Sequence, residues 1–347
     1  MNILKNMYPD ERTPLKEKLP MKLPLCVSIE PTNLCNFKCV MCFHGNNEYA
    51  EEAKPLRNMD MACFVKIVED LKNWTQEVQE KIKLIKLYSL GEPLIHPELC
   101  NMVKMIKEAD ICNEIEITTN ASLMTQEVAE KLVDYGLDIL RISVYAVDAE
   151  HNKYITKSSI SPEEIMEKVR YIKEYRDKNK KSVPKIFVKM IDTYSDENEQ
   201  FLNMYKTVVD VVGIDEPFHL NSGENDVFEN LYQDNAELAY EKSMETNLFE
   251  NRKACRYPFT HMTIRNDGSV IICCIDWLKQ TRVGNVNDNA LHEIWQSKSL
   301  YKFRCNMLKE KGNNLEVCRR CELPFRDFPE DNIDDFPVEK LSFEYDI

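Results

Sequence analysis

The chain has 347 residues, 43% hydrophobic and 30% charged, which suits one large domain or a large domain with a small one. Its formal net charge of −14 argues against a nucleic-acid partner, since the basic run at 173–182 reads as the exposed end of a helix. No apolar run approaches the roughly 20 residues that span a bilayer, and the N-terminus lacks a signal-peptide core.

No membrane partner is therefore expected, and the expected location is cytoplasmic. There, 13 cysteines stay reduced and point to metal or redox chemistry rather than to disulfides. The eight glycines include no G-x-G pair, which removes the dinucleotide fingerprint and the P-loop. No HExxH or GxSxG occurs either.

Residues 1–23 read as an N-terminal extension. From 24 to 217 strand-like and helix-like stretches alternate. Strands are expected at 25–30, 82–90, 114–120, 137–146, 184–192 and 210–217. Helices are expected at 60–74, 97–109, 125–136, 161–179 and 197–209. The helix at 125 starts on a Thr cap, and the one at 161 on a Ser cap followed by Pro and acids. Six strands with helical crossovers predict a parallel sheet, and hence the α/β class with a partial (β/α)6 barrel of the TIM type. In such barrels chemistry gathers at the C-terminal ends of the strands. Four unusual segments follow strand ends: the cysteine loop 33–43, Gly91–Glu92–Pro93, Thr118–Asn120 and Ser143–Ala146.

The cysteine loop spaces Cys35, Cys39 and Cys42 as C-x3-C-x2-C. Three close thiolates suit an iron–sulfur cluster. A structural zinc wants a fourth protein ligand, which His44 would supply, so zinc is the alternative. A 4Fe–4S cluster on three cysteines leaves one iron open to a substrate or cofactor.

These residues resemble the radical S-adenosylmethionine (radical SAM) superfamily. The loop matches CxxxCxΦC with Met41 at Φ. Residues 89–93 resemble the GGEP segment, with Leu90 for its first glycine. Residues 117–122 resemble the TNG segment, with Ala121 for glycine, and 141–146 resemble the fourth-strand segment. The resemblance implies that Cys35, Cys39 and Cys42 hold a 4Fe–4S cluster whose open iron binds SAM. It implies that Gly91, Glu92 and Pro93 hold the methionine amine, with Glu92 as its charge partner. Asn120 and Ser143 would face the ribose and carboxylate, and Met41 the adenine. A flavodoxin- or ferredoxin-type reductant is implied as well.

Residues 218–254 read as a linker with a helix-like piece at 234–249. A second cysteine-rich region spans 255–325: a hairpin over 255–277 turning at Asn266–Asp267–Gly268, a turn and helix over 284–304, and Cys318-x-x-Cys321. It resembles the SPASM/Twitch auxiliary cluster domain of radical SAM enzymes. Nothing cysteine-bearing follows Cys321, so one auxiliary 4Fe–4S cluster is expected, on Cys255, Cys273, Cys318 and Cys321. Cys274 is the alternative to Cys273, because neighbours on a strand face opposite ways. A four-cysteine zinc ribbon is the competing reading. Residues 326–347 read as a solvated acidic tail, packed if at all by Phe328, Phe336 and Phe343.

The resemblance implies that a 5′-deoxyadenosyl radical takes hydrogen from a substrate carbon. Oxidation of an alcohol on a sugar or cyclitol, with the auxiliary cluster as electron acceptor, is the favoured reaction. Epimerisation needs a thiol hydrogen donor, for which Cys26 and Cys305 are weak candidates. Cys63, Cys100 and Cys112 read as small apolar residues. Peptide modification is a further alternative, and a zinc-binding scaffold is the non-enzyme one. An acidic sugar nucleotide fits the acidic surface poorly unless basic residues such as Arg57, Arg141 and Lys189 gather at the barrel mouth. No general base is assigned by the sequence.

Overall fold

The computed structural model describes residues 12–45, 54–217, 227–245, 254–310, 316–319, 321–326 and 328–343. Six parallel strands form its frame: β1 Cys26–Ile29, β2 Ile82–Lys86, β3 Cys112–Thr119, β4 Ile139–Ser143, β5 Lys185–Ile191 and β6 Val211–Asp215. They pair in sequence order, β6-β5-β4-β3-β2-β1, as short right-handed helical crossovers dictate. The intervening helices Met61–Val78, Leu99–Ala109, Gln126–Asp134, Pro162–Lys178 and Glu197–Tyr205 answer to the five expected from apolar periodicity.

Helix starts follow local chemistry. Asp60 caps Met61–Val78 by accepting from the Ala62 N–H. Ser161 and Glu164 form a reciprocal capping box behind Pro162, which satisfies two orphan backbone donors. The helix Ala149–Thr156, capped by Asp148, escapes the sequence reading because its apolar positions are few.

Each barrel strand has two chemically distinct faces. Ile85 and Leu87, Ile115 and Ile117, Leu140 and Ile142, and Ile186 and Val188 pack into one core beneath the helices. The alternate residues, Lys86, Tyr88, Glu116, Thr118, Arg141, Ser143 and Lys189, therefore face the lumen. They bond one another there: Tyr88 and Arg141 both donate to Glu116, at 2.5 Å and 3.0 Å, and Lys189 pairs with Asp215. A filled (β/α) barrel packs branched aliphatics inside. This lumen is polar instead.

The C-terminal region consists of antiparallel strands and helices, and its first strand also extends the barrel sheet. β7 His261–Ile264 lies parallel to β1, with Cys26 opposite His261. β8 Ser269–Ile271 and β9 Arg282–Asn285 follow antiparallel, which completes nine strands. The β7–β8 turn uses Gly268 at φ +81, a conformation open to glycine without strain. Helices Leu291–Trp295 and Lys298–Glu310 stand where one was expected. In the 218–254 stretch, helices Val227–Tyr232 and Ala236–Glu245 are described.

Residues 328–343 correct the reading of a solvated tail. Ile333, Phe336 and Leu341 are buried with Leu15, Leu19, Phe259, Met307 and Leu308 in a second core. The tail's acids are met by cations: Arg12 donates to Asp331, and Arg256 pairs with it. Phe328 lies under the Arg12 guanidinium, and the side chain of Phe343 lies outside the described residues. Acid spacing alone suggested solvent, whereas the apolar residues between the acids determine the packing.

The two halves are locked by Glu30, which is fully buried at the end of β1. Its carboxylate accepts from Arg265 Nε at 2.8 Å, from the Asn266 N–H at 3.1 Å and from the Leu90 N–H at 3.2 Å. Removing one partner of a buried pair strands the other charge. Arg265→Met is therefore expected to cost about 3–5 kcal/mol in anaerobic urea denaturation. The same change should cost clearly less in a Glu30→Gln background, where no charge is stranded.

Candidate functional site

The loop after β1 folds back on itself and on the strand ends beside it. The Glu92 N–H donates to Leu34 O at 2.8 Å, and His44 Nε2 bonds Leu90 O at 3.0 Å. Gly91 permits this approach. A Cβ there would stand 2.3 Å from Thr32 O and 2.6 Å from Leu34 O, both backbone atoms. The result is a cavity of about 170 Å³ onto which Cys35, Cys39, Cys42, Gly91, Glu92, Asn120 and Ser143 all open. Pro93 is buried and begins the short turn Pro93–Ile95 that Glu92 caps.

Glu92 is the cavity's carboxylate. It accepts from Thr119 Oγ1 at 2.5 Å, from the Asn120 N–H at 2.8 Å and from the Leu94 N–H at 3.0 Å. Burial nevertheless pushes its pKa up to about 7, because desolvation disfavours the charged form. A ligand ammonium would return the lost charge balance. Asn120 is fixed from both ends, donating to Asn36 Oδ1 at 3.1 Å and accepting from Ser122. Ala121 keeps the left-handed conformation, φ +59, at a cost of about 1 kcal/mol relative to glycine.

The three thiols of the loop are also raised by burial, Cys35 to about 12. No cationic side chain offsets them, so they become thiolates only against a strongly Lewis-acidic core. Their spacing selects among such cores. A tetrahedral zinc at about 2.3 Å from each sulfur draws ligand atoms to within about 4 Å of one another. Among the described residues the one trio of potential ligand atoms within 4.8 Å is Asp148, His151 and Glu197. The loop cysteines are spaced more widely while still sharing one cavity, which fits a multi-iron core better than one zinc.

Met41 does not open onto this cavity. It lines a neighbouring one of about 370 Å³ with Ile155, Ile191, Tyr194, Tyr232 and Lys242. Tyr145 lines both, and its hydroxyl bonds the Cys39 sulfur. Tyr145 was missed by sequence reasoning, although it stands two residues beyond Ser143 on the same strand face.

Of the second cysteine set, Cys273 and Cys274 lie past the end of β8, so the strand-alternation argument does not apply to them. The Cys273 thiol bonds Cys274, which raises Cys273 and lowers Cys274. Cys273 also feels Cys255 and Cys321. Cys274 feels Lys86 and Arg256, and Cys321 in turn feels Cys274. Cys318 and Cys321 are both raised by burial, to about 11 and about 12. This set likewise shows no trio at zinc spacing. The two cysteine regions meet where Trp277 packs on Phe43, with ring centroids 5.9 Å apart, next to Cys42 and Leu90.

The two hydrogen-donor candidates separate. Cys26 is buried beside Lys86, Glu116 and Cys274, and burial pushes its thiol up to about 11. Cys305 sits on the helix Lys298–Glu310 against the second core, bonded by Tyr301. Cys63, Cys100 and Cys112 pack at the edge of the first core. Asp148, His151 and Glu197 are employed structurally: Asp148 caps a helix, and Glu197 accepts from the Val147 N–H and bonds His151.

Comparison with known proteins agrees with this geometry. The radical SAM superfamily pattern matches residues 29–205, just over half of the chain, and an iron-sulfur cluster-binding domain of the SPASM type matches 255–322. A cofactor-modifying protein for the tungsten-containing aldehyde ferredoxin oxidoreductase of Pyrococcus furiosus is 28% identical over 48% of this chain and 43% of its own length. A probable GTP 3',8-cyclase of Methanococcus maripaludis is 34% identical over 38% of this chain and 39% of its own. The chain thus aligns with less than half the length of these relatives. Among solved structures, SuiB of Streptococcus suis bound to S-adenosylmethionine superposes with TM-score 0.62 at 17% identity, covering 92% of this chain and 78% of that one. BtrN in complex with AdoMet and 2-DOIA gives 0.54 at 15% identity, covering 90% and 98%. These likenesses establish the fold. No helix among the described residues is long and apolar enough to cross a membrane. The three-thiol loop, the matched frame around it and the cysteine-rich extension together make this chain a member of the radical SAM superfamily with a SPASM domain, and these two domains imply 4Fe–4S clusters and S-adenosylmethionine as cofactors.

Proposed function

We propose that the chain cleaves S-adenosylmethionine reductively and oxidises an alcohol carbon of a sugar- or cyclitol-like molecule. The observation that carries this reading is that both cysteine regions approach one polar lumen, three thiols in the cavity that Tyr88 lines and Cys274, bonded to Cys273, beside Lys86. A flavodoxin- or ferredoxin-type protein is the proposed reductant.

In this reading Cys35, Cys39 and Cys42 hold the SAM-binding cluster. Cys255, Cys273, Cys318 and Cys321 hold the auxiliary one. Cys273 is preferred to Cys274 because it is Cys273 that feels Cys255. When bound, these groups supply an electron that cleaves SAM to methionine and a 5′-deoxyadenosyl radical, and an acceptor for the electron that leaves the substrate. The chain's own residues bind and orient. Glu92 takes the methionine ammonium, and Gly91 lets the backbone come close. Pro93 fixes the turn, and Asn120 and Ser143 face the ribose and carboxylate. Met41 lines the adenine side. The buried lumen excludes water from the radical.

Epimerisation is the second reading, favoured by one observation. Cys26 stands in the lumen and keeps its proton, so it has a hydrogen atom to return to carbon. Cys305, packed outside the lumen, is not proposed for this role.

The test is anaerobic reconstitution followed by turnover in D2O with a panel of sugars and cyclitols. About eight irons per chain and a ketone product without carbon-bound deuterium support dehydrogenation. Deuterium delivered to carbon, and lost in Cys26→Ser, supports epimerisation instead. Zinc without iron would sink both. The raised carboxyl of Glu92 adds a pH test. Its ionised form binds the ammonium, so SAM affinity should climb between pH 6 and pH 8 and level off above the pKa of about 7. Well below that pKa the loss approaches about tenfold per unit. Equilibrium dialysis should show the slope flattened in Glu92→Gln.

A further inference from the structure

Among the described residues, one lumen cation lacks a direct partner. Arg141 pairs with Glu116 and Lys189 with Asp215, whereas Lys86, the last residue of β2, makes no hydrogen bond or ion pair among the described residues. Its ammonium lies 5.7 Å from the centre of the Tyr88 ring.

The groups that face Lys86 are Tyr88, Cys26, Glu116 and Tyr257, with His261 and Cys274 on the side of β7 and the turn after β8. Burial alone would lower its pKa, but these neighbours carry it well above the ordinary value, so the side chain stays charged. Of the four that raise it, Glu116 is the one ionised near neutral pH; Lys86 is the foremost cation acting on that carboxylate, but its two oxygens are bonded by Tyr88 and Arg141. Cys274 bonds Cys273. Lys86, Tyr88, Tyr257, His261 and Cys274 are each only partly covered. With both Glu116 oxygens bonded elsewhere, the ammonium has no direct acceptor among the described residues, and a ligand carboxylate would supply one.

We propose that Lys86 is a substrate-anchoring residue whose ammonium takes a carboxylate of the molecule that occupies the lumen. On the proposed function, on which the location of the substrate rests, this makes the substrate an acidic one: a hydroxylated chain or ring bearing a carboxylate. Tyr88 links this anchor to the radical-generating end, because Tyr88 lines the cavity of the three thiols. The anchor and the SAM site therefore hold the substrate from two sides.

The experiment uses reconstituted holoprotein: wild type, Lys86→Met, Lys86→Gln and Lys86→Arg, each checked for equal iron content. Thermal shifts are titrated with glucuronate, glucose and acetate, and the reduction potential of the second cluster is followed by EPR. Wild type should bind glucuronate roughly tenfold or more tighter than glucose. The Met and Gln variants should lose that preference, and Arg should keep part of it. Acetate binding as well as glucuronate, and in a Lys86-dependent way, would support the anchor while counting against a polyhydroxylated substrate. No Lys86-dependent carboxylate binding would overturn the proposal. So would a preference that survives in Lys86→Met while the second cluster's potential shifts, since Lys86 would then serve the cluster.

Discussion

One buried carboxylate sets the relation between the two halves of the molecule. Glu30 ends β1, and its two oxygens are spent on three donors from different places: Leu90 beside the Gly91–Glu92–Pro93 turn, and Arg265 and Asn266 from the β7–β8 hairpin. The segment that forms the wall of the first cavity and the segment that leads to Cys273 are thus tied to the same side chain. A buried ion pair is weak evidence for stability but a strong geometric constraint, because any shift of one partner leaves a charge unsatisfied. The parallel β1–β7 ladder and the Phe43–Trp277 contact repeat that constraint on either side. The C-terminal cysteines are therefore built into the barrel rather than attached to it.

The same strands that bury Ile, Leu and Val outward carry Lys, Tyr, Glu, Arg and Ser inward. Such a lumen cannot be a core, because its polar groups need partners. Glu116 supplies partners for two of them, which leaves Tyr88 at the boundary between the upper cavity and a larger one of about 850 Å³ lined by Leu84, Glu114, Glu116 and Phe187. At this level side chains meet across the lumen through hydrogen bonds rather than through apolar packing.

Much of this was legible in the sequence. Strand and helix order could be read because the apolar periodicity alternates between 2 and 3.6 over segments of ordinary length. The thiol loop and its neighbours could be read because each sits directly after a strand. What could not be read depends on tertiary contact. β7 looks like half of a hairpin, and nothing local says that its other edge joins β1. The 328–343 segment looks solvated by charge count, yet Ile333, Phe336 and Leu341 find Leu15 and Leu19 from the opposite end of the chain. Lys86 reads as one lysine in an alternating strand. Only the sheet order shows that Tyr88 and Arg141 take up Glu116 beside it. Glu30 and Arg265 lie 235 residues apart, beyond any local pattern.

The division of labour follows from that topology. The superfamily frame at residues 29–205 accounts for the radical-generating end, whose residues follow the strand ends of β1 to β4. In the proposed function, the fate of a substrate radical is decided elsewhere, on the wall where β1 meets β7. There Cys26 and Cys274 both lie near Lys86. On the proposed reading, a hydrogen donor and the route to an electron acceptor compete beside a single side chain.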